Sequence, residues 1–407
     1  MITRFHIENF KSLVNFTLPP DDPDVDSGLP PTGRELGGFT CLIGLNGSGK
    51  STLLQAFDFI AHIATGKVKD WLGRRDWKKG ELVSHFGKKT PVIIFTIGLR
   101  TTVGTVVEWT ARFNTTSLKC TAETITSAGK DILKLEEGRL TVAGAPGVPE
   151  QRYEKVPWEY EGAVMSSLKM VDADPGIAEM KTALAHLCSL ELLSPQLMRR
   201  KARAAQDIGA GGEKLSPFLD QLQSTAKTNL YALLCPFYPQ LETWNVRGYR
   251  AGWKSLRIKE SYPDSGMIET GHINDGFLRV IAILAQAQSP HQFLLFDEIE
   301  NGINPALVEK LMDFLVGLGQ QGKQVVVTTH SPMILNFLDD QVARDSVILL
   351  YKTPAGKTLS CRYFDQPETS QKLKALGPGE VFVDTDLTKL VERLSGSASP
   401  AVTKEEV

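Results

Sequence analysis

Apolar and polar residues alternate from Ile2 to Phe10, the period of a strand with one face buried. An apolar run at Phe39–Ile43 then enters a Gly-rich turn, and from Lys50 the positions Leu53, Leu54, Phe57, Ile60, Ala61 and Ala64 recur at helical spacing. Between these elements, Pro19 to Gly38 is rich in Pro, Gly and Asp and reads as a surface loop. Gly66 to Lys89 is polar and basic and reads as a solvated helix and loop. Strand patterns follow at Val92–Leu99, Val103–Phe113 and Leu118–Thr126, with a hairpin around Glu136-Glu137-Gly138, so an antiparallel sheet is expected here. Helical patterns cover Ile177–Leu193 and Leu215–Leu234, and shorter strand-like pieces lie at Leu241–Val246 and Ser255–Ile258. An apolar helix is expected over Val280–Ala287, and buried strands over Phe293–Phe296 and Gln324–Val327 flank a helix at Pro305–Gly317. No stretch sustains three or four heptads, and the tail after Ser395 reads as disordered.

At 407 residues the chain has room for two to three average domains, or one large domain with an insertion. Its 42% hydrophobic and 23% charged residues are ordinary globular values. No apolar run reaches the roughly 18 residues of a membrane helix, and the chain opens on strand-like sequence, so no signal peptide, no membrane contact and a cytoplasmic location are expected. The five cysteines are scattered and never spaced C-x-x-C, as in reduced thiols rather than a metal site or disulfide frame. A net charge of −2 confines any nucleic-acid contact to a local patch.

The chemistry begins at the Gly-rich turn. Gly44, four residues, then Gly49-Lys50-Ser51 is the spacing of a phosphate-binding P-loop, with strand before it and helix after it. Gly44, Gly47 and Gly49 let the backbone curl so that the amides of Asn46, Ser48 and Thr52 can turn toward phosphate oxygens. Lys50 supplies a charge to the β- and γ-phosphates and Ser51 a hydroxyl to Mg²⁺. A nucleoside triphosphate, ATP with Mg²⁺, is the expected ligand. The strand Phe293–Phe296 ends in Asp297-Glu298, which places a metal-holding carboxylate beside one able to polarise the attacking water. One helix later a second strand ends in Thr328-Thr329-His330-Ser331-Pro332; in a parallel sheet His330 would then lie beside the γ-phosphate as its sensor. Asn274 can cap the helix that follows it, and Gly276 allows a close backbone approach.

In this order the motifs resemble the ATP-binding-cassette (ABC) superfamily: Gly44–Thr52 as Walker A, Phe293–Glu298 as Walker B, Asn301-Gly302-Ile303-Asn304-Pro305 as D-loop and His330 as switch histidine. Within it the chain is similar to RecF/SMC-like ATPases, including OLD-type and Septu-type ATPases of phage defence. Asn9-Phe10-Lys11-Ser12, Asn274-Asp275-Gly276-Phe277-Leu278-Arg279 and Asp297-Glu298-Ile299-Glu300-Asn301-Gly302 carry that likeness.

The resemblance implies an α/β fold: a P-loop ABC-type head with a mixed sheet and an antiparallel β-subdomain, interrupted by an inserted, mainly helical lobe. The expected boundaries are 1–145 and 271–395 for the two halves of the head, 146–270 for the lobe and 396–407 for the tail. It also implies a homodimer, or a higher oligomer, closing ATP between the P-loop of one copy and Asn274, Asp275 and Gly276 of the other. The family usually has Ser where this chain has Asn274, which bears on the hydrolysis rate more than on the fold. No Q-loop glutamine is placed, Gln55 following the P-loop too closely. About 220 residues separate P-loop and signature, too many for a transporter cassette. A Toprim nuclease of the OLD type would need roughly a hundred residues after Leu350, where about 55 remain, so the effector, a nuclease, is expected on a separate polypeptide. A RecF-like repair ATPase and an ATP-stabilised scaffold with little turnover are the alternatives. For DNA or RNA the candidates are Arg199–Arg203 and a segment with Arg247, Arg250, Lys254 and Arg257 interleaved with Tyr249 and Trp253.

Overall fold

The alternating N-terminal stretch forms the strand Ile2–Phe10, and Phe5, Ile7 and Phe10 are fully buried on its inner face. In the computed structural model, which describes residues 1–20, 35–87, 89–169, 172–203 and 207–397, this strand is second in an eight-stranded antiparallel sheet. The order is Leu13–Leu18, Ile2–Phe10, Val92–Arg100, Val106–Asn114, Lys119–Ser127, Lys130–Glu136, Arg139–Val142 and Gln151–Tyr153. The helix Lys50–Thr65 packs on it through aromatic contacts, Phe57 on Phe5 at 4.1 Å and Phe59 on Phe10 and Phe113 at 5.3 Å each. The predicted hairpin is present. Glu137 and Gly138 turn with φ of 49° and 81°, the left-handed pair that a two-residue hairpin loop requires.

This sheet and helix belong to one of two compact units, made of Ile2–Gly37, Cys41–Ala185 and Leu338–Val407. In the same unit Val347–Lys352 runs parallel to the end of the P-loop strand, with Val347 opposite Cys41, and Thr358–Arg362 returns antiparallel to it. The polar stretch after Gly66 is less solvated than its composition suggests. The Arg75 side chain is only 5% exposed, pairs with Asp58 at 2.8 Å and lies over the rings of Trp71 and Trp77, because Trp71 anchors the short helix Val68–Arg75 in the core. Most of the loop expected between Pro19 and Gly38, and the tail from residue 398 onward, lie outside the described residues.

One buried charge in this unit makes a testable prediction. Glu123 is 1% exposed and accepts N–H bonds from Val164 at 2.7 Å and Met165 at 3.4 Å. Burial outweighs those amides and pushes its pKa from 4.5 up to about 7. The folded state therefore holds this proton more tightly than the unfolded chain. The group's contribution is most favourable below pH 4.5 and is lost as pH rises toward 7. Urea unfolding of the wild type should show stability falling between pH 5 and 8 by an amount on the order of 3 kcal/mol. Glu123→Gln should flatten that slope; an equal slope in both proteins would remove Glu123 as its source.

The other unit comprises Met1, Gly38–Thr40 and His186–Phe337. Three short parallel strands form its core, Leu187–Leu190, Phe293–Phe296 and Gln324–Thr328, with Leu187 opposite Phe293 and Phe293 opposite Gln324. The helices Asp275–Ala287 and Pro305–Gln320 are the ones the apolar spacing predicts. Two helical expectations need correction. The pattern Ile177–Leu193 splits into the helix Pro175–Ala185 and the strand Leu187–Leu190, since pairing with Phe293–Phe296 outweighs a period that four residues cannot define. The pattern Leu215–Leu234 breaks into Leu215–Gln221 and Ser224–Leu234, where Leu222 takes an extended ψ of 137°. Residues 146–270 thus carry strands as well as helices, including an antiparallel sheet of Leu241–Gly248, Lys254–Glu260 and Met267–Glu269. Among the described residues, no helix is long and apolar enough to cross a membrane.

Candidate nucleotide-binding site

The P-loop strand Phe39–Ile43 is wholly buried and delivers the chain into a loop that curls tightly. Gly44 has φ 147°, and a Cβ there would stand 2.2 Å from the Leu350 carbonyl oxygen, so only glycine fits. Lys50 is 5% exposed, and its Nζ donates to the carbonyls of Gly44 at 2.9 Å and Leu45 at 3.3 Å, holding its charge within the loop. The helix it begins has no side-chain cap and no acidic residue in its first turn. Its first amides therefore lack intrahelical partners, and its positive end is left for an anion. Ser48 Oγ is buried without a hydrogen-bond partner, as expected of a donor that waits for a ligand. Asn46, Gly47 and Ser51 are exposed and Thr52 is half-buried. The loop fits a polyphosphate.

Thr358, which the sequence reading did not mention, braces this loop together with Ser12. Thr358 Oγ1 lies 2.9 Å from both the Ser48 carbonyl and Ser12 Oγ, and the Thr358 amide donates to the Ser12 carbonyl at 2.9 Å. This explains why Asn9-Phe10-Lys11-Ser12 accompanies the P-loop. Lys11 donates to Gln55 at 2.9 Å and sits 3.2 Å from the centre of the Trp77 ring, which occupies Gln55 structurally. No sequence signal connects Ser12 with Thr358, 346 positions away.

In the other unit, Asp297 and Glu298 leave the end of the strand Phe293–Phe296. Glu298 adopts φ 45°, a left-handed backbone that costs a non-glycine residue of order 1 kcal/mol or more. Thr328, fully buried, fixes both acids: its Oγ1 accepts the Glu298 amide at 2.8 Å and donates to Asp297 Oδ1 at 2.5 Å. Asn301 Nδ2 reaches Glu298 Oε2 at 3.3 Å. Glu298 and His330 are exposed, and the His330 amide donates to Glu300 Oε1 at 2.9 Å, which ties the histidine loop to the acidic one. Ser51 in the one unit and Asp297 in the other each carry an oxygen of the kind that Mg²⁺ takes.

The signature stretch lies in this same unit. Asn274 caps the helix Asp275–Ala287, its Oδ1 accepting the Phe277 amide at 2.7 Å, while Nδ2 stands 3.5 Å from Tyr238 Oη. A Cβ on Gly276 would be 3.0 Å from the Gly302 carbonyl oxygen, so the predicted close approach is to the D-loop backbone. Arg279, missed as an individual residue, packs beside Gly302 with Asp275 and Glu298 as its neighbouring charges; burial lowers its pKa without discharging it. A cavity of about 380 Å³ opens here, lined among others by Tyr238, Asn274, Gly276, Gly302 and Asn304.

Comparison with known proteins gives matches in both halves of the chain. Residues 4–139 match a family model described as an AAA domain, and residues 197–336 match an AAA-domain model whose description names the AbiEii toxin of a type IV TA system. The DNA repair protein RecN of Synechocystis is 22% identical over 205 residues, 48% of this chain but 31% of that protein. The chain thus spans about a third of the length of this curated relative. Solved Smc heads share the fold. One, bound to the C-winged helix domain of ScpA, aligns at a TM-score of 0.51 and 14% identity over 91% of this chain and 99% of its own. Another, with an extended coiled coil and bound to the C-terminal domain of ScpA derived from Pyrococcus furiosus, aligns at 0.50 and 11% over 92% and 99%. The chain thus has the fold of the Smc heads and AAA-domain matches in both of its halves.

The candidate nucleic-acid residues do not form one free set. Arg247 and Arg257 face the same carboxylate, Glu269, at 3.5 and 4.0 Å, and Lys254 is paired with Asp220 at 2.7 Å. The sheet that carries these residues supplies Glu269 and the helix Leu215–Gln221 supplies Asp220, which local charge counting does not reveal. Only Arg250 of the four, at the hairpin tip, has no carboxylate partner among the described residues. Three acids after Leu350 are locally engaged as well: Glu380 accepts the Gly377 amide, Asp384 pairs with Lys372, and Asp386 accepts the amides of Thr388 and Lys389.

Proposed function

We propose that this ATPase binds ATP and Mg²⁺ on Gly44–Thr52, closes as a homodimer around the nucleotide, and in doing so controls a separate effector, a nuclease, in bacterial defence against phage. Lys50 would hold the β- and γ-phosphates, Asp297 the metal side of the site, and Glu298 the water that attacks the γ-phosphate. His330 would report the γ-phosphate, and Asn274, Asp275 and Gly276 would meet it from the second copy. The observation that carries this reading is the pair of acids held by one buried hydroxyl. Thr328 orients Asp297 and the strained Glu298 together, an investment of polar contacts that a plain strand end does not need. Two features support partner control: the signature and its neighbouring cavity, and the solved Smc heads of the same fold, whose descriptions name a bound ScpA domain.

The match to RecN, a DNA repair protein, favours a second reading, a repair ATPase whose turnover responds to DNA without an effector protein. One experiment separates them. Tagged Glu298→Gln protein, held with ATP and Mg²⁺, is purified from its native cell, and its mass is measured by light scattering while co-purifying proteins and nucleic acids are identified. A nucleotide-dependent doubling of mass with a stoichiometric nuclease supports the effector reading. DNA without a protein partner supports the repair reading, and an unchanged monomer in ATP overturns the closing dimer.

A further inference from the structure

Two basic segments about fifty residues apart in sequence converge within one unit. Ala202 is bridged to Lys254, its amide donating to the Lys254 carbonyl at 3.3 Å and its carbonyl accepting the Lys254 amide at 2.8 Å. This pairing lays Lys201 over Tyr249, Nζ 3.8 Å from the ring centre, and Arg203 over Trp253 at 4.9 Å. Arg247 covers Tyr249 as well, at 5.1 Å. Trp253 is 38% exposed although it is a large aromatic residue. The charges around these rings fall into two classes. Arg247, Arg257, Lys254 and Lys259 each have a carboxylate partner, Glu269 serving two and Asp220 and Glu242 one each. Arg200, Lys201, Arg203 and Arg250 are exposed, and among the described residues none has one.

The face is joined to the signature by the residue that precedes its first cation. Arg199 Nη2 donates to the Ile273 carbonyl at 2.7 Å and to Asp275 Oδ1, gripping both sides of Asn274. Arg199 Nε is buried, and the side chain is less exposed than those of Arg200, Lys201 and Arg203.

We propose that Arg200, Lys201, Arg203 and Arg250, with Tyr249 and Trp253, form one binding face for single-stranded nucleic acid, and that Arg199 is the positioning residue through which occupancy of this face alters Asn274-Asp275-Gly276. Four cations without carboxylate partners suit a phosphodiester backbone, and the exposed ring of Trp253 suits an unstacked base. An acidic peptide would use the charges and leave the rings idle. The second clause rests on reading Asn274–Gly276 as the signature; the first does not.

The test uses the full chain without nucleotide and a fluorescein-labelled thirty-nucleotide oligo(dT), with the ribo-oligomer in parallel, followed by anisotropy from low to high salt. Binding should weaken with a log–log salt slope of about −3, as for four phosphate contacts on a single strand. Arg200→Gln/Lys201→Gln/Arg203→Gln/Arg250→Gln should lose at least tenfold in affinity and most of the slope. Trp253→Ala alone should lose several-fold with the slope kept. No binding, equal binding by the quadruple variant, or equal competition by poly-glutamate with Trp253→Ala neutral would overturn the face. For the relay, hydrogen exchange of the Asp275–Leu278 amides should change when oligonucleotide binds the wild type. It should not change in Arg199→Ala or Arg199→Lys, which should bind within about twofold of wild type. Binding with unaltered exchange in the wild type, or an intact response in both variants, would overturn the relay. A chain that binds oligonucleotide but not ATP would refute the nucleotide reading and leave the face standing.

Discussion

Glu298→Gln should lower steady-state ATP turnover by about 10²- to 10⁴-fold, the usual cost of removing a well-placed general base. ATP affinity should stay within a few-fold of wild type, because the residue offered as base is not among those offered as phosphate ligands. The substitution is nearly isosteric, and the contacts that position residue 298 survive it. Its amide bond to Thr328 is a backbone contact, and Asn301 can still donate to the side-chain oxygen. Loss of turnover with unchanged thermal stability would therefore report chemistry rather than folding. The same variant should accumulate the ATP-bound dimer, since closure would no longer be followed by hydrolysis. If it turns over like wild type, the attacking water is activated elsewhere. A slow wild type would itself be informative, because Asn274 already spends its carbonyl on the helix cap and leaves only its NH₂ to meet a phosphate.

Lys50→Ala should act one step earlier and abolish tight ATP binding. A buried, hydrogen-bonded cation facing a polyanion is worth about 2–5 kcal/mol when truncated, roughly thirty-fold or more in Kd. Titration with a fluorescent ATP analogue measures this directly. The fold should persist, since the strand and helix that flank the loop are held by buried apolar residues, among them Leu42, Leu53 and Phe57. The carbonyls of Gly44 and Leu45 would lose a donor, so a small fall in melting temperature should accompany the loss of affinity. Tight binding retained by a folded Lys50→Ala protein would contradict the P-loop assignment.

The two variants also separate the readings of the molecule. A scaffold that merely needs ATP for stability is disabled by Lys50→Ala and indifferent to Glu298→Gln. A switch fails in both, but in opposite states, one always open and one held closed.

The sequence by itself determined the local chemistry. Phosphate binding depends on a contiguous loop whose glycines and lysine must stand at fixed spacing, so Gly44–Thr52 was legible without any tertiary knowledge. The same holds for Asp297-Glu298 at a strand end, for the Asn274 cap, and for the Glu137-Gly138 turn, because each is a relation among neighbours in the chain. The mixed α/β head was legible through its strand and helix periods, except where segments were too short to show one, as at Leu187–Leu190. Tertiary structure alone decided the relations between distant residues. Thr328 bridging two acids, Thr358 bracing the P-loop against Ser12, and Arg199 gripping Ile273 and Asp275 are hydrogen bonds across tens to hundreds of positions. It also decided which cations are free. Charge pairing depends on distances of a few ångströms across strands, so Arg247, Lys254 and Arg257, prominent in the sequence, are largely neutralised, while Arg200, Lys201, Arg203 and Arg250 are not.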